Sequence, residues 1–192
     1  MSEILIIIGL PGSGKTHYIH NVLFEGGETL ITFDDWGRKK WGNYFVPNPE
    51  GGFTDDDRYG DLIEEIRNLR GKIIVSGAQF CDHDFLCKSE YYLKSQFPNL
   101  KIRRIYFENN IEKSISNIIY RDKDVNGGHF KETVDGEKWS KWYMGDHFEN
   151  APTYKVIIKH SEEFSEKYII PSTYSPIPIF VTKNYKLSDH DF

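Results

Sequence analysis

Cysteine is scarce in this chain: Cys81 and Cys87 are the only two among 192 residues. Two thiols so close together make no disulfide framework and do not complete a zinc site. Ordinary thiols of a reducing compartment are expected. Positive charge is not in excess either. Lys and Arg number 24 against 29 Asp and Glu, for a net charge of −5. No global basic field therefore advertises a polyanion partner, although a local basic groove remains compatible with that balance. No apolar run approaches the ~20 residues of a membrane span. The run Ile4-Leu5-Ile6-Ile7-Ile8 is short and leads into a glycine-rich turn rather than a signal-peptide cleavage site. A cytoplasmic protein is expected. His83, His129 and His147 are scattered without metal-ligand spacing and receive no role. Internal repeats are absent, as is any second segment with a core of its own.

What the chain does have is an ordinary soluble composition, 39% hydrophobic and 28% charged, enough for one domain with a sizeable core. Its most specific segment is residues 9–16, Gly-Leu-Pro-Gly-Ser-Gly-Lys-Thr, a complete G-x-x-x-x-G-K-[ST] phosphate-binding loop behind a short apolar strand. Each residue type has a physical task. Gly9, Gly12 and Gly14 let the backbone curl so that N–H groups face phosphate oxygens. The helix opening near Gly14 presents its positive dipole end. Lys15 can reach the β- and γ-phosphates, and the Thr16 hydroxyl can ligate Mg²⁺. Gly9, Pro11, Gly12, Ser13, Gly14, Lys15 and Thr16 are thus the candidate nucleotide-binding set, with ATP and Mg²⁺ as expected ligands.

Short apolar runs alternate with amphipathic stretches along the chain, the pattern of a βαβ series around a parallel sheet. Strands are expected at 3–8, 28–33, 72–76, 101–107 and 154–159 (YKVIIK). Helices are expected at 14–24, from Asp55-Asp56-Asp57 to about Arg70, near 82–96, over 111–120 and near 134–147. Residues 36–54, rich in Gly, Pro and aromatics, form an insertion, and polar residues 122–133 form a lid. From about Pro171 the tail lacks periodicity and is expected to be an extended wrap or partly frayed. The expected architecture is an α/β, three-layer phosphate-loop NTPase fold: a central parallel sheet of about five strands, a helical lid and an extended C-terminal tail. The main domain covers 1–160 and the extension 161–192.

Two further features narrow the chemistry. Asp34-Asp35 closes the second strand, and ligands in parallel α/β sheets sit at the C-terminal strand edge. A carboxylate there can accept the proton of an attacking hydroxyl or support Mg²⁺, although a turn or cap is the structural alternative. Arg121, with Lys123, closes the 111–120 helix, where basic side chains can neutralise charge developing on phosphates. Complementing the helix C-terminus is the alternative there.

With Phe-Asp-Asp-Trp after the second strand, a third strand ending Val75-Ser76, and Tyr120-Arg121-Asp122 before the lid, the chain resembles the kinase domain of bacteriophage polynucleotide 5′-hydroxyl kinases over roughly residues 1–150. The resemblance implies phosphoryl transfer from ATP to a hydroxyl, with Asp34 as general base and Arg121 as a lid arginine. The chain departs from that family at the acceptor side. Gly37 stands where relatives carry an arginine, with Arg38 one place on. Gly77-Ala78-Gln79 stands where relatives often carry an aspartate, and the lid offers Arg121 and Lys123 where relatives often have two arginines. These changes point to an altered acceptor site.

The segment Trp36-Gly37-Arg38-Lys39-Lys40-Trp41 interleaves rings with cations, as nucleic-acid and nucleoside sites do. Asp35, Trp36, Arg38 and Trp41 are the candidate substrate contacts, and packing of the insertion onto the domain is the alternative reading. Lys101, Arg103 and Arg104 lie along a strand whose side chains alternate faces, so edge or helix-covered cations are expected. Two functional classes follow: a kinase acting on a hydroxyl of a nucleic acid, modified base, nucleoside or another small molecule, and a regulatory or toxin-immunity module that binds ATP without transfer.

Overall fold

A computed structural model of the protein describes residues 3–33, 60–125 and 153–189. Strands β1 (Glu3–Ile8), β2 (Thr29–Thr32), β3 (Lys72–Ser76) and β4 (Lys101–Tyr106) form one four-stranded sheet in the order β2-β3-β1-β4. All three pairings are parallel. Helices α1 (Lys15–Tyr18), α2 (Gly60–Asn68), α3 (His83–Gln96), α4 (Ile111–Tyr120) and α5 (Thr153–Lys167) surround it.

The continuous apolar run of β1 follows from burial on both faces, because side chains alternate along a strand. Ile4, Ile6 and Ile8 join Ile31, Phe33, Ile73, Val75 and Tyr106 in one core, closed by Ile63 and Ile66 of α2, Phe85 and Leu93 of α3, and Phe164 of α5. Leu5 and Ile7 point the other way, toward Ile74, Phe107, Ile19 and, from the tail, Ile179. Helices thus flank the sheet in a mixed α/β architecture compatible with a phosphate-loop fold.

The expected strand at 154–159 is instead part of α5. Val156-Ile157-Ile158 is β-branched and reads as a strand over six residues. Over fifteen, buried Ile158, Ser161 and Phe164, followed by Tyr168, recur at helical spacing. Four strands, not about five, are therefore seen among the described residues. The boundary expected at 160 falls inside this helix, whose Phe164 belongs to the main core. The first helix is also not regular to its end. After Tyr18 it widens into a π-helical turn, Ile19–Leu23, closed by the bond from Phe24 N to Ile19 O at 2.9 Å.

The tail is a wrap. Ile177 N donates to Tyr106 O at 2.7 Å and Glu108 N to Ile177 O at 2.8 Å, so one parallel bridge continues the sheet beyond β4. Ile179 N then donates to Glu108 Oε1 at 2.8 Å. Of the three cations on β4, two are exposed and one is covered by a helix. Lys101 and Arg103 face Glu3 at 3.9 and 3.5 Å, at the sheet end remote from the glycine loop, while Arg104 is covered by α3 and paired with Glu90.

Candidate nucleotide site

The strand order places β1 between β3 and β4, so the crossover carrying α3 passes over β1 and the connections diverge at its C-terminal edge. Ligands of open parallel sheets bind at such a switch point. Residues 9–16 leave β1 there.

The loop's curvature is specific to glycine at two places. Gly12 has φ 81° and Gly14 φ 89°, the left-handed region that a Cβ disfavours. At Gly12 there is also no room: a Cβ would collide with the Ser114 backbone carbonyl and lie 2.8 Å from Ile118 Cγ1. At Gly14 a Cβ would meet nothing, so backbone conformation alone demands glycine there. Gly14 caps α1, and Tyr18 N returns to Gly14 O at 3.0 Å. The opening N–H groups of a helix have no intrahelical acceptor and are available to an anion.

Lys15 Nζ donates to Gly9 O at 2.7 Å and Leu10 O at 2.8 Å, arching its charge back over the loop. Ser13 is buried, and its hydroxyl is among the buried side-chain atoms without a hydrogen-bond partner. Thr16 is exposed and can offer its hydroxyl to a cation. The cradle that lacks room for a Cβ, the orphaned Ser13 hydroxyl and the ammonium fit a polyphosphate with its Mg²⁺.

Three elements brace this loop, through residues not among the site residues expected from the sequence. From α5, Ser161 Oγ reaches Pro11 O at 3.3 Å. From α4, Asn117 Nδ2 donates to Gly12 O at 3.0 Å. After β3, a 3₁₀ turn, Ala78–Cys81, packs Cys81 close to Gly9 and Lys15. Burial pushes the Cys81 thiol up to about 12, with the Lys15 charge and the Gly9 backbone opposing only in part. A faint sequence signal existed for Asn117, which precedes Arg121 by four residues and shares its side of the helix.

Arg121 caps α4 with helical backbone angles and is exposed, one turn (roughly 6 Å) beyond Asn117. Lys123 lies in the π-helical turn Arg121–Val125, its ammonium 5.6 Å from the Tyr185 ring centre. The structure thus puts Gly9, Pro11, Gly12, Ser13, Gly14, Lys15 and Thr16 in one loop, with Arg121 on the helix that braces it. Asp34, Asp35, Trp36, Arg38 and Trp41 lie outside the described residues, as do most of the expected lid, His129, His147 and the helix expected near 134–147. Phe33, the residue before Asp34, is fully buried at the C-terminal end of β2.

Glycine after β3 has a steric cause. A Cβ at position 77 would lie 2.9 Å from Phe33 Cγ and 2.8 Å from Gln79 Oε1, so Gly77 makes room for that ring. Gln79 is buried, and its Oε1 has no hydrogen-bond partner. No helix among the described residues is long and apolar enough to cross a membrane. Compared with known proteins, the chain matches no protein-family model, and no curated protein proves significantly similar to it.

Proposed function

We propose that this chain is an ATP-dependent kinase that transfers the γ-phosphate to a hydroxyl of a nucleic acid, modified base or nucleoside. The observation that carries the reading is a complete phosphate loop at the switch point of a parallel sheet, with Gly12 and Gly14 in left-handed conformation and Lys15 arched over the loop. Loop N–H groups and Lys15 hold the β- and γ-phosphates. The acceptor oxygen bonds to the γ-phosphorus as the bridge to the β-phosphate breaks, ADP departs, and the hydroxyl proton passes to the Asp34 carboxylate. Lys15 and Arg121 offset the negative charge that accumulates on the transferring oxygens. Mg²⁺, for which the Thr16 hydroxyl is the ligand on this chain, supplies further charge neutralisation when bound. Aromatic rings Trp36 and Trp41, with Arg38 between them and Asp35 beside them, provide a stacking and charged surface for the acceptor.

A second reading, a module that binds ATP without transfer, draws on the uncharged Gly77-Ala78-Gln79 at the end of β3. A γ-phosphate transfer assay separates the two. Acceptors should include 5′-hydroxyl DNA and RNA, DNA with hydroxymethylated pyrimidines, free nucleosides and small sugars. Transfer to one acceptor, abolished in Asp34→Ala while ATP affinity persists, supports the kinase reading. ATP binding with no transfer to any acceptor moves the assignment to the binding module, and equal activity in Asp34→Ala removes Asp34 as the base.

A further inference from the structure

A single amide joins the phosphate loop to the C-terminal tail. Asn117 Nδ2 donates one hydrogen to Gly12 O at 3.0 Å and the other to Phe180 O at 2.9 Å. Both N–H groups of the amide are used, so its orientation is determined at both ends. Gly12 also packs closely against the backbone of α4 at Ser114, so the loop's apex faces the helix that carries Asn117. On the tail side the contacts continue. Ser116 Oγ donates to Lys183 O at 2.7 Å and accepts from Tyr185 N at 2.8 Å. Tyr185 then donates its hydroxyl to Asp124 Oδ2 at 2.6 Å, and Lys183 Nζ lies 3.3 Å from Asp124 Oδ1. The Tyr185 hydroxyl first, and Lys183 with it, hold the Asp124 carboxyl below the usual range. One run of tail, 180–185, therefore touches the helix that braces the loop and the turn that carries Arg121 and Lys123.

We infer that Asn117 is a positioning residue that couples the phosphate loop to tail segment 180–185, so that phosphate binding in the loop and docking of the tail on the Asp124 turn favour each other. The inference rests on the nucleotide-site reading above. Gly12 O is held in place by a donor whose second hydrogen bonds the Phe180 carbonyl while the tail is docked. Release of the tail leaves the amide free to turn, and the apex loses its tether. Linkage then requires reciprocity: ATP must tighten the tail by the same factor by which the docked tail tightens ATP.

The test uses the full chain, ATP titration and amide hydrogen exchange. Asn117→Asp keeps the shape of the side chain but removes both donors, and Tyr185→Phe removes only the remote bond to Asp124. Asn117→Asp is expected to weaken ATP binding about 5- to 100-fold and to abolish the ATP-dependent slowing of exchange at 177–185. Tyr185→Phe should weaken ATP binding by a smaller factor, although it touches no loop residue. A purely structural role for Asn117 would lower the unfolding temperature and leave the affinity of the folded protein unchanged; that result overturns the inference. Should Asn117→Asp not fold, the wild-type protein decides, since tail exchange that is no slower in saturating ATP also overturns it. A wild-type chain that binds no ATP defeats the nucleotide-site reading and this inference with it. ATP binding that is equal in wild type and Asn117→Asp defeats the inference alone.

Discussion

The hydroxyl of Tyr168 lies 3.0 Å from the carbonyl oxygen of Ile8, the last residue of β1, and 2.7 Å from that of Phe107, just past β4. One buried phenol thus ties together the two strand ends from which the glycine loop and the α4 approach depart. Burial also raises the phenol's pKa far above its ordinary value, so it stays protonated and keeps donating. Tyr168→Phe removes this donor while preserving the ring. Unfolding in urea should show a loss of about 1–3 kcal/mol, the cost of leaving a buried acceptor unsatisfied. A loss below a few tenths of a kcal/mol would show that the carbonyls are satisfied by their other contacts.

Gly12 and Gly14 should respond differently to alanine, since one lacks both conformation and space and the other lacks conformation alone. Gly14→Ala is expected to cost about 1–2 kcal/mol through the left-handed backbone. Gly12→Ala should cost more, because the α4 backbone must also retreat. Paired denaturation curves check the order, and equal losses would contradict the steric account.

His160 packs its ring on Phe164 at 4.9 Å between centres, and burial lowers its pKa to about 3. The unfolded chain binds a proton near pH 6.5, whereas the folded chain resists it. Stability from this group is therefore complete above pH 6.5 and declines toward pH 3, by up to about 1.4 kcal/mol per pH unit. The expected result is a wild-type stability that falls between pH 6.5 and 5, with a shallower slope in His160→Gln. Parallel slopes would mean the native state accommodates the charged ring.

The two thiols should differ in reactivity. Cys87 is exposed, whereas Cys81 is buried with its thiol near 12 and little thiolate. Native protein treated with an alkylating reagent should gain one adduct, at Cys87, and a second only in denaturant. Mass spectrometry of the digested protein reads this directly, and native labelling of Cys81 would show that the turn beneath the loop opens.

Much of this arrangement was written in short-range patterns. The β-strands at 3–8, 72–76 and 101–106 and the helix Ile111–Tyr120 declare themselves by apolar runs and by isoleucines at helical spacing. The helix near 82–96 was expected as well, and Asp82 caps it by accepting from Asp84 N and Phe85 N. The run 154–159 misleads because β-branched residues favour strands locally, while Ile157 and Ile158 pack in helical conformation against Ile115, Ile118 and Ile119 of α4, far away in sequence. The bracing residues Asn117, Ser161 and Tyr168 carry no motif, since their partners lie 61 to 160 residues away.

Residues 9–16 by themselves carry the phosphate-loop motif on which the proposed function rests, because glycine conformational freedom, a lysine and a hydroxyl act through local geometry that their spacing encodes. Tertiary structure alone decided what holds that loop. Sheet order puts it at the divergence of the connections, Phe33 forces glycine at position 77, and a tail without periodicity is fastened to the loop through Asn117. Those outcomes depend on volume exclusion and hydrogen-bond partners between distant segments, which no local pattern specifies.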